Sequence, residues 1–131
     1  MFDGASVFKQ NLNDWDVSQV TDTRSMFSGA TAFNAPLNAW NVAQVAAFTS
    51  MFSSAAAFNQ DLSAWDVSAV PGNGNNADSL FYKTGMSNCN KKAIYDRFKA
   101  VSQLAVPADY TEIADASAND GEDWNTTPPS C

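Results

Sequence analysis

Trp15, Trp40 and Trp65 recur at an interval of 25 residues, and four other apolar columns keep the same step. These are Phe8, Phe33 and Phe58; Leu12, Leu37 and Leu62; Val17, Val42 and Val67; and Val20, Val45 and Val70. A fixed period of this length marks a solenoid, in which a repeat too small to bury its own apolar face buries it against its neighbours. Each repeat carries one Trp and at least two Phe, and a buried aromatic removes about 150–250 Å² from water. At about 25 cal/mol per Å² that is roughly 4–6 kcal/mol per ring before entropy.

Two patterns alternate inside the repeat. In Leu37-x-x-Trp40-x-Val42-x-x-Val45 the Trp and the first Val are two apart, the periodicity of a strand. The same spacing, with Trp in the middle place, is that of a leucine-rich repeat. Short parallel strands are therefore expected over 14–17, 39–42 and 64–67, stacked one per coil. Val20, Thr23/Arg24, Phe27 and Ala30 follow at steps near three and four, which predicts one or two turns of helix on the opposite wall. Thr21 and Asp22 would cap it, and Gly29 (Gly4 in the first copy) would end it in a left-handed conformation. Asn34 and Asn59 follow the repeat Phe and are read as a ladder of amides bonded to buried backbone groups. Lys9 holds that place in the first copy, so the ladder would stop there.

After Val70 the period breaks at Pro71-Gly72-Asn73-Gly74-Asn75-Asn76, which is turn and loop chemistry. Leu80-Phe81 resumes the Met-Phe pair as a last, looser coil. Ile94, Phe98, Val101 and Ala105 then fall at helical steps and predict an amphipathic helix over about 90–104. Asn88 or Asn90 would cap it, and Lys91, Lys92, Arg97 and Lys99 would face water. Pro107 stops it, and the acidic tail to Cys131 reads as irregular. The expected fold is a leucine-rich-repeat-like solenoid, with a short parallel strand and a short helix in each coil. Residues 1–86 form three regular coils and one looser coil, and 87–131 form a C-terminal cap. Met1-Phe2 is in register with Met26-Phe27, so the chain starts in mid-repeat, and its bare first coil is expected to self-associate.

Composition narrows the function. Net charge is −7 at 131 residues, so the Lys and Arg surplus that nucleic acid or an anionic membrane surface requires is missing. No apolar run approaches the roughly 18 residues of a membrane span, so no membrane insertion is expected. There is no histidine and there are only two cysteines, which argues against a structural zinc site. Cys89 and Cys131 instead suggest one disulfide and an oxidising compartment. It would close a 42-residue loop, worth roughly 4 kcal/mol on a chain-entropy account. Asn125-Thr126-Thr127 is a glycosylation sequon, which points the same way.

Catalytic constellations are lacking. No G-x-S-x-G occurs, Gly72-Asn73-Gly74 lacks the Lys and Ser/Thr of a phosphate loop, and Asp120-Gly121-Glu122-Asp123 is not a calcium loop. Asp14, Asp16 and Asp66 are read as a solvated acidic face rather than a glycosidase pair. The chain is therefore expected to be no enzyme and to need no cofactor or metal. What remains is the face pointing out from the stacked strands. It carries Asp14, Asp16 and Ser18; Ala39, Asn41 and Ala43; and Ala64, Asp66 and Ser68. This small, mildly acidic patch suits a protein or cell-surface partner. The alternative, a carbohydrate-binding module on the same face, requires solvent-exposed Trp15, Trp40 and Trp65.

Written out, the repeat is x-F-N-x-x-L-x-x-W-x-V-x-x-V-x-x-x-x-x-M-F-x-x-A. Phe33-Asn34, Leu37, Trp40, Val42, Val45, Met51-Phe52 and Ala55 carry it, with copies 25 residues either side. It resembles the BspA-like, leucine-rich-repeat-type surface repeat, the DUF285 family, over about residues 1–86. Thr23 and Phe48 stand where that family often has Met, and Ala46-Ala47 replaces Thr-Asp. The resemblance implies a secreted or cell-surface array used in adhesion, protein binding or spacing, with no common enzyme activity and no transferable catalytic residues.

Overall fold

The computed structural model describes residues 1–71, 76–77 and 79–101. The tail expectations, with Cys131 and Asn125, lie outside the described residues. Consecutive repeats are joined by backbone hydrogen bonds that cross from one copy to the next. Thr23, Ser25, Phe27 and Gly29 donate their N–H groups to the carbonyls of Ala47, Thr49, Met51 and Ser53 at 2.8–3.0 Å. Phe2 and Gly4 donate in the same way to Met26 and Ser28, and Phe52 and Ser54 to Leu80 and Tyr82. Elsewhere on the repeat the direction reverses, with Ala32, Ala46 and Ala57 donating back to Ser6, Thr21 and Thr31.

This arrangement differs from the expected helix. The residues between the crossing donors, Met26, Ser28 and Ala30, send their N–H groups back three positions to Thr23, Ser25 and Phe27. Alternate donors thus serve the next repeat and the residue's own turn. A helix would commit every donor to its own chain four residues back. Left-handed backbone also interrupts the run, at Ser25, Ser50 and Ser79 in one column and at Gly4, Gly29, Ser54 and Lys83 in another. A right-handed helix cannot pass through such residues. Gly4 and Gly29 are left-handed, as their sequence position suggests.

No strand forms at 14–17, 39–42 or 64–67: turns at 13–14, 38–39 and 63–64 precede each Val, and turns at 18–19, 43–44 and 68–69 follow it. Trp15, Trp40 and Trp65 donate their backbone N–H to Leu12, Leu37 and Leu62, three positions back. Val20, Val45 and Val70 do the same to Val17, Val42 and Val67. Donors closed into turns cannot build a ladder. The pairing between repeats lies on the wall that sequence periodicity marks as helical, where Asp22 and Ala47 form a parallel bridge.

The core is a double column of phenylalanine rings. Phe2, Phe27, Phe52 and Phe81 follow one another at centroid distances of 5.4, 5.5 and 5.9 Å. Phe8, Phe33 and Phe58 run beside them at 5.8 and 5.9 Å. Within a repeat the two columns stack closer, at 4.2 Å for Phe27–Phe33 and 4.0 Å for Phe52–Phe58. Leu37, Leu62, Met51, Phe48 and Val45 complete a fully buried interior. Trp40 and Trp65 are 4% and 1% exposed, whereas Trp15 is 45% exposed.

One helix, α1, spans Asn88–Val101, close to the expected 90–104. Its cap is Ser87 rather than Asn88 or Asn90. The Ser87 hydroxyl accepts the Asn90 N–H at 3.3 Å, and its carbonyl accepts the Lys91 N–H at 3.0 Å. Ile94 is fully buried, as its spacing requires. Lys91, expected in water, is only 8% exposed, because it lies in the first turn, where the helix meets the repeats.

The left-handed columns yield a test. A non-glycine residue there costs about 1–2 kcal/mol, partly offset by the unfolded-state freedom of glycine. Ser54→Gly should therefore raise stability by up to about 1 kcal/mol. Gly29→Ala should lower it by about 1 kcal/mol or more, since a residue with a Cβ is strained at its φ of +67°. Urea denaturation of the two variants checks both signs.

Candidate interaction surface

The outward face is built from turns whose side chains bond their own backbone. Asp16 accepts the Ser18 N–H at 3.0 Å, Asn41 accepts the Ala43 N–H at 3.2 Å, and Asp66 accepts the Ser68 N–H at 3.0 Å. Each is an Asx-turn, a short side-chain oxygen standing in for a backbone acceptor. Asp16, Asn41 and Asp66 are all exposed and recur at the 25-residue step, and Asp14 and Ser68 are exposed beside them in sequence. Ser18 is half-buried. The same device recurs at the preceding bend, where Asn11 accepts from Asn13 and Asp61 from Ser63, both at 2.9 Å. At the bend after Val20, Asp22 accepts the Arg24 N–H at 2.9 Å and pairs with its guanidinium.

These bonds act on the carboxyls. The Ser18 hydroxyl, then its N–H, holds Asp16 below the ordinary carboxylate range. Ser68 does the same for Asp66, helped by the nearby Arg97 charge. The Ser63 N–H and hydroxyl lower Asp61, and the Arg24 side chain lowers Asp22. All four are therefore ionised at neutral pH, and their first role is to fix the turn. Arg97 reaches from α1 to the Trp65 carbonyl at 3.4 Å, placing one cation near Asp66.

A second polar ridge runs along the Phe-Asn corner. Asn34 Oδ1 accepts the Asn59 backbone N–H at 2.8 Å, 25 residues on. The expected ladder exists, but it is solvent-exposed and serves the neighbouring repeat. Sequence reasoning missed its companions. Gln60 Nε2 also reaches Asn34 Oδ1, and Asn13 binds the next repeat through the Ala39 N–H at 3.0 Å and the Asn38 side chain at 3.3 Å. The pairing of Asn13 with Asn38 at the 25-residue step was the signal available for the latter.

The apolar anchors leave no row of aromatics on this surface. Trp40 Nε1 donates to the Leu12 carbonyl at 2.8 Å and Trp65 Nε1 to the Leu37 carbonyl at 2.9 Å, both inside the core. Among the described residues no group of three or more His, Cys, Asp or Glu is placed to hold a metal. None of their helices is long and apolar enough to cross a membrane. Cys89 is exposed in the first turn of α1, and no described cysteine is free.

The lowered carboxyls carry a pH dependence. Their folded pKa values lie below the ordinary 3.8, so their stabilising contribution is complete above that value. It is lost as pH falls through the lowered values. Urea midpoints measured from about pH 6 downward should stay level to about pH 4 and then fall, and Asp16→Asn combined with Asp66→Asn should flatten the fall.

No curated protein and no solved structure matches the chain. A family model described as "Mycoplasma protein of unknown function, DUF285" matches residues 1–103, which takes in the repeats and α1. The chain belongs to the DUF285 family.

Proposed function

We propose that this chain is a non-enzymatic repeat module of the cell surface or a secreted protein, serving protein binding, adhesion or spacing. The repeats then wind as a leucine-rich-repeat-like solenoid of the BspA-like type, with α1 closing one end. Hydrogen bonds and ring stacks between consecutive repeats support that winding. The observation that carries the binding role is the set of Asp16, Asn41 and Asp66. It is exposed, rigidified by its own turns and repeated at one step per repeat. Preorganised acidic groups favour a basic partner surface and speed its encounter. A sugar-binding face is the weaker reading, because Trp40 and Trp65 are buried and bonded. Self-association through the exposed Met1, Val7 and Trp15 belongs to the same proposal.

Two experiments bear on it. Against a panel of purified extracellular proteins of differing isoelectric point, binding should favour basic members and weaken with salt. Asp16→Lys with Asp66→Lys should reduce it about tenfold. Binding to a glycan array that Trp15→Ala abolishes would replace this reading with the carbohydrate one. The oxidising compartment rests on a Cys89–Cys131 disulfide. Alkylation should therefore label no cysteine before reduction and both after it; two labels in the unreduced native chain would remove that support.

A further inference from the structure

We infer that the corner formed by Phe58 and Asn59 is a docking surface for either a following repeat or α1, and that the helix holds it by imitating a repeat. The equivalence is residue by residue. Asn34 Oδ1 receives the Asn59 backbone N–H and the Gln60 side-chain amide, both at 2.8 Å. One repeat later, Asn59 Oδ1 receives the Ser87 backbone N–H at 2.9 Å and the Asn90 side-chain amide at 2.8 Å. Each acceptor thus takes one main-chain donor and one amide. Ser87 occupies the place of the repeat Asn, and Met86, buried, that of the repeat Phe. Gly85 lies so close to the Ala56 carbonyl oxygen that a Cβ there would run into it.

Ser87 has a second role. Its hydroxyl and carbonyl accept the N–H groups of Asn90 and Lys91 and so start the helix. The residue that closes the amide ladder also opens α1. An amide oxygen has two lone pairs, and both are engaged here, so the corner accepts a repeat or the cap but not both. Lys9, at the equivalent corner of the first repeat, has no side-chain acceptor. The asparagine serves a repeat and the cap alike, so the segment that follows it, a repeat's Asn-Gln or Ser87 with Asn90, decides which is seated. This inference stands on the contacts between repeats and is independent of the proposed binding role.

Backbone amide exchange of the full chain tests it. Asn59→Leu removes the acceptor under the cap, and Asn34→Leu removes the equivalent acceptor inside the array. With Asn59→Leu, protection of the α1 amides should fall about tenfold, as expected for losing two such bonds. The Phe27 and Phe33 amides should stay within about threefold of their native protection. With Asn34→Leu, α1 should keep its protection. Unchanged α1 protection in Asn59→Leu would overturn the inference. So would equal loss of α1 protection in both variants, or global unfolding of Asn59→Leu, since the repeats would then depend on the cap.

Discussion

A buried indole N–H must find an acceptor, and here it finds one in the neighbouring repeat. Trp40 reaches the Leu12 carbonyl and Trp65 the Leu37 carbonyl, each 28 residues back. Those carbonyls already close the turns at Trp15 and Trp40, so one oxygen joins a repeat to itself and to the next. Sliding one repeat against another by a single residue would leave the indole unpaired in a dry core, at a cost of about 1–3 kcal/mol. The phenylalanine columns supply most of the burial, but rings 5.4–5.9 Å apart tolerate small displacements. Burial holds the repeats together, and the indole bond sets where they sit.

The same division of labour explains the backbone. Alternate N–H groups cross to the next repeat while their neighbours close turns within it, so neither helix nor continuous strand can form. Gly4, Gly29, Ser54 and Lys83 are left-handed at the same place in successive repeats. Asx-turns at Asp16, Asn41 and Asp66 perform the corresponding task on the outer wall. Polar side chains that look like a binding row are thus first of all structural, and any partner meets them already ordered.

Much of this was legible at the period of 25. Equal spacing of Phe, Leu, Trp and Val predicts which residues are buried, because identical positions in stacked units meet identical surroundings. Trp15 escapes burial while Trp40 and Trp65 do not, a distinction that period alone does not make. Secondary structure was less legible. Trp40-x-Val42 alternates like a strand, and Val20 to Ala30 is spaced like a helix, but periodicity reports which side is buried and not where the N–H groups go. A turn returning every two or three residues produces either pattern. The Asn34–Asn59 ladder was readable because polar residues kept the same step. The role of Ser87 was not, since it sits where the step has lengthened to 28.

Indole bonds between repeats thus set the register in which the outer turns are held. The account stands or falls on those bonds, and hydrogen exchange at the indole N–H groups reads them directly. In one sample, Trp40 and Trp65 should exchange at least about a hundredfold more slowly than Trp15, which is half in solvent and serves as the internal reference. Exchange of all three at the same fast rate would show that Trp40 and Trp65 do not bond across repeats, and would contradict the packing described.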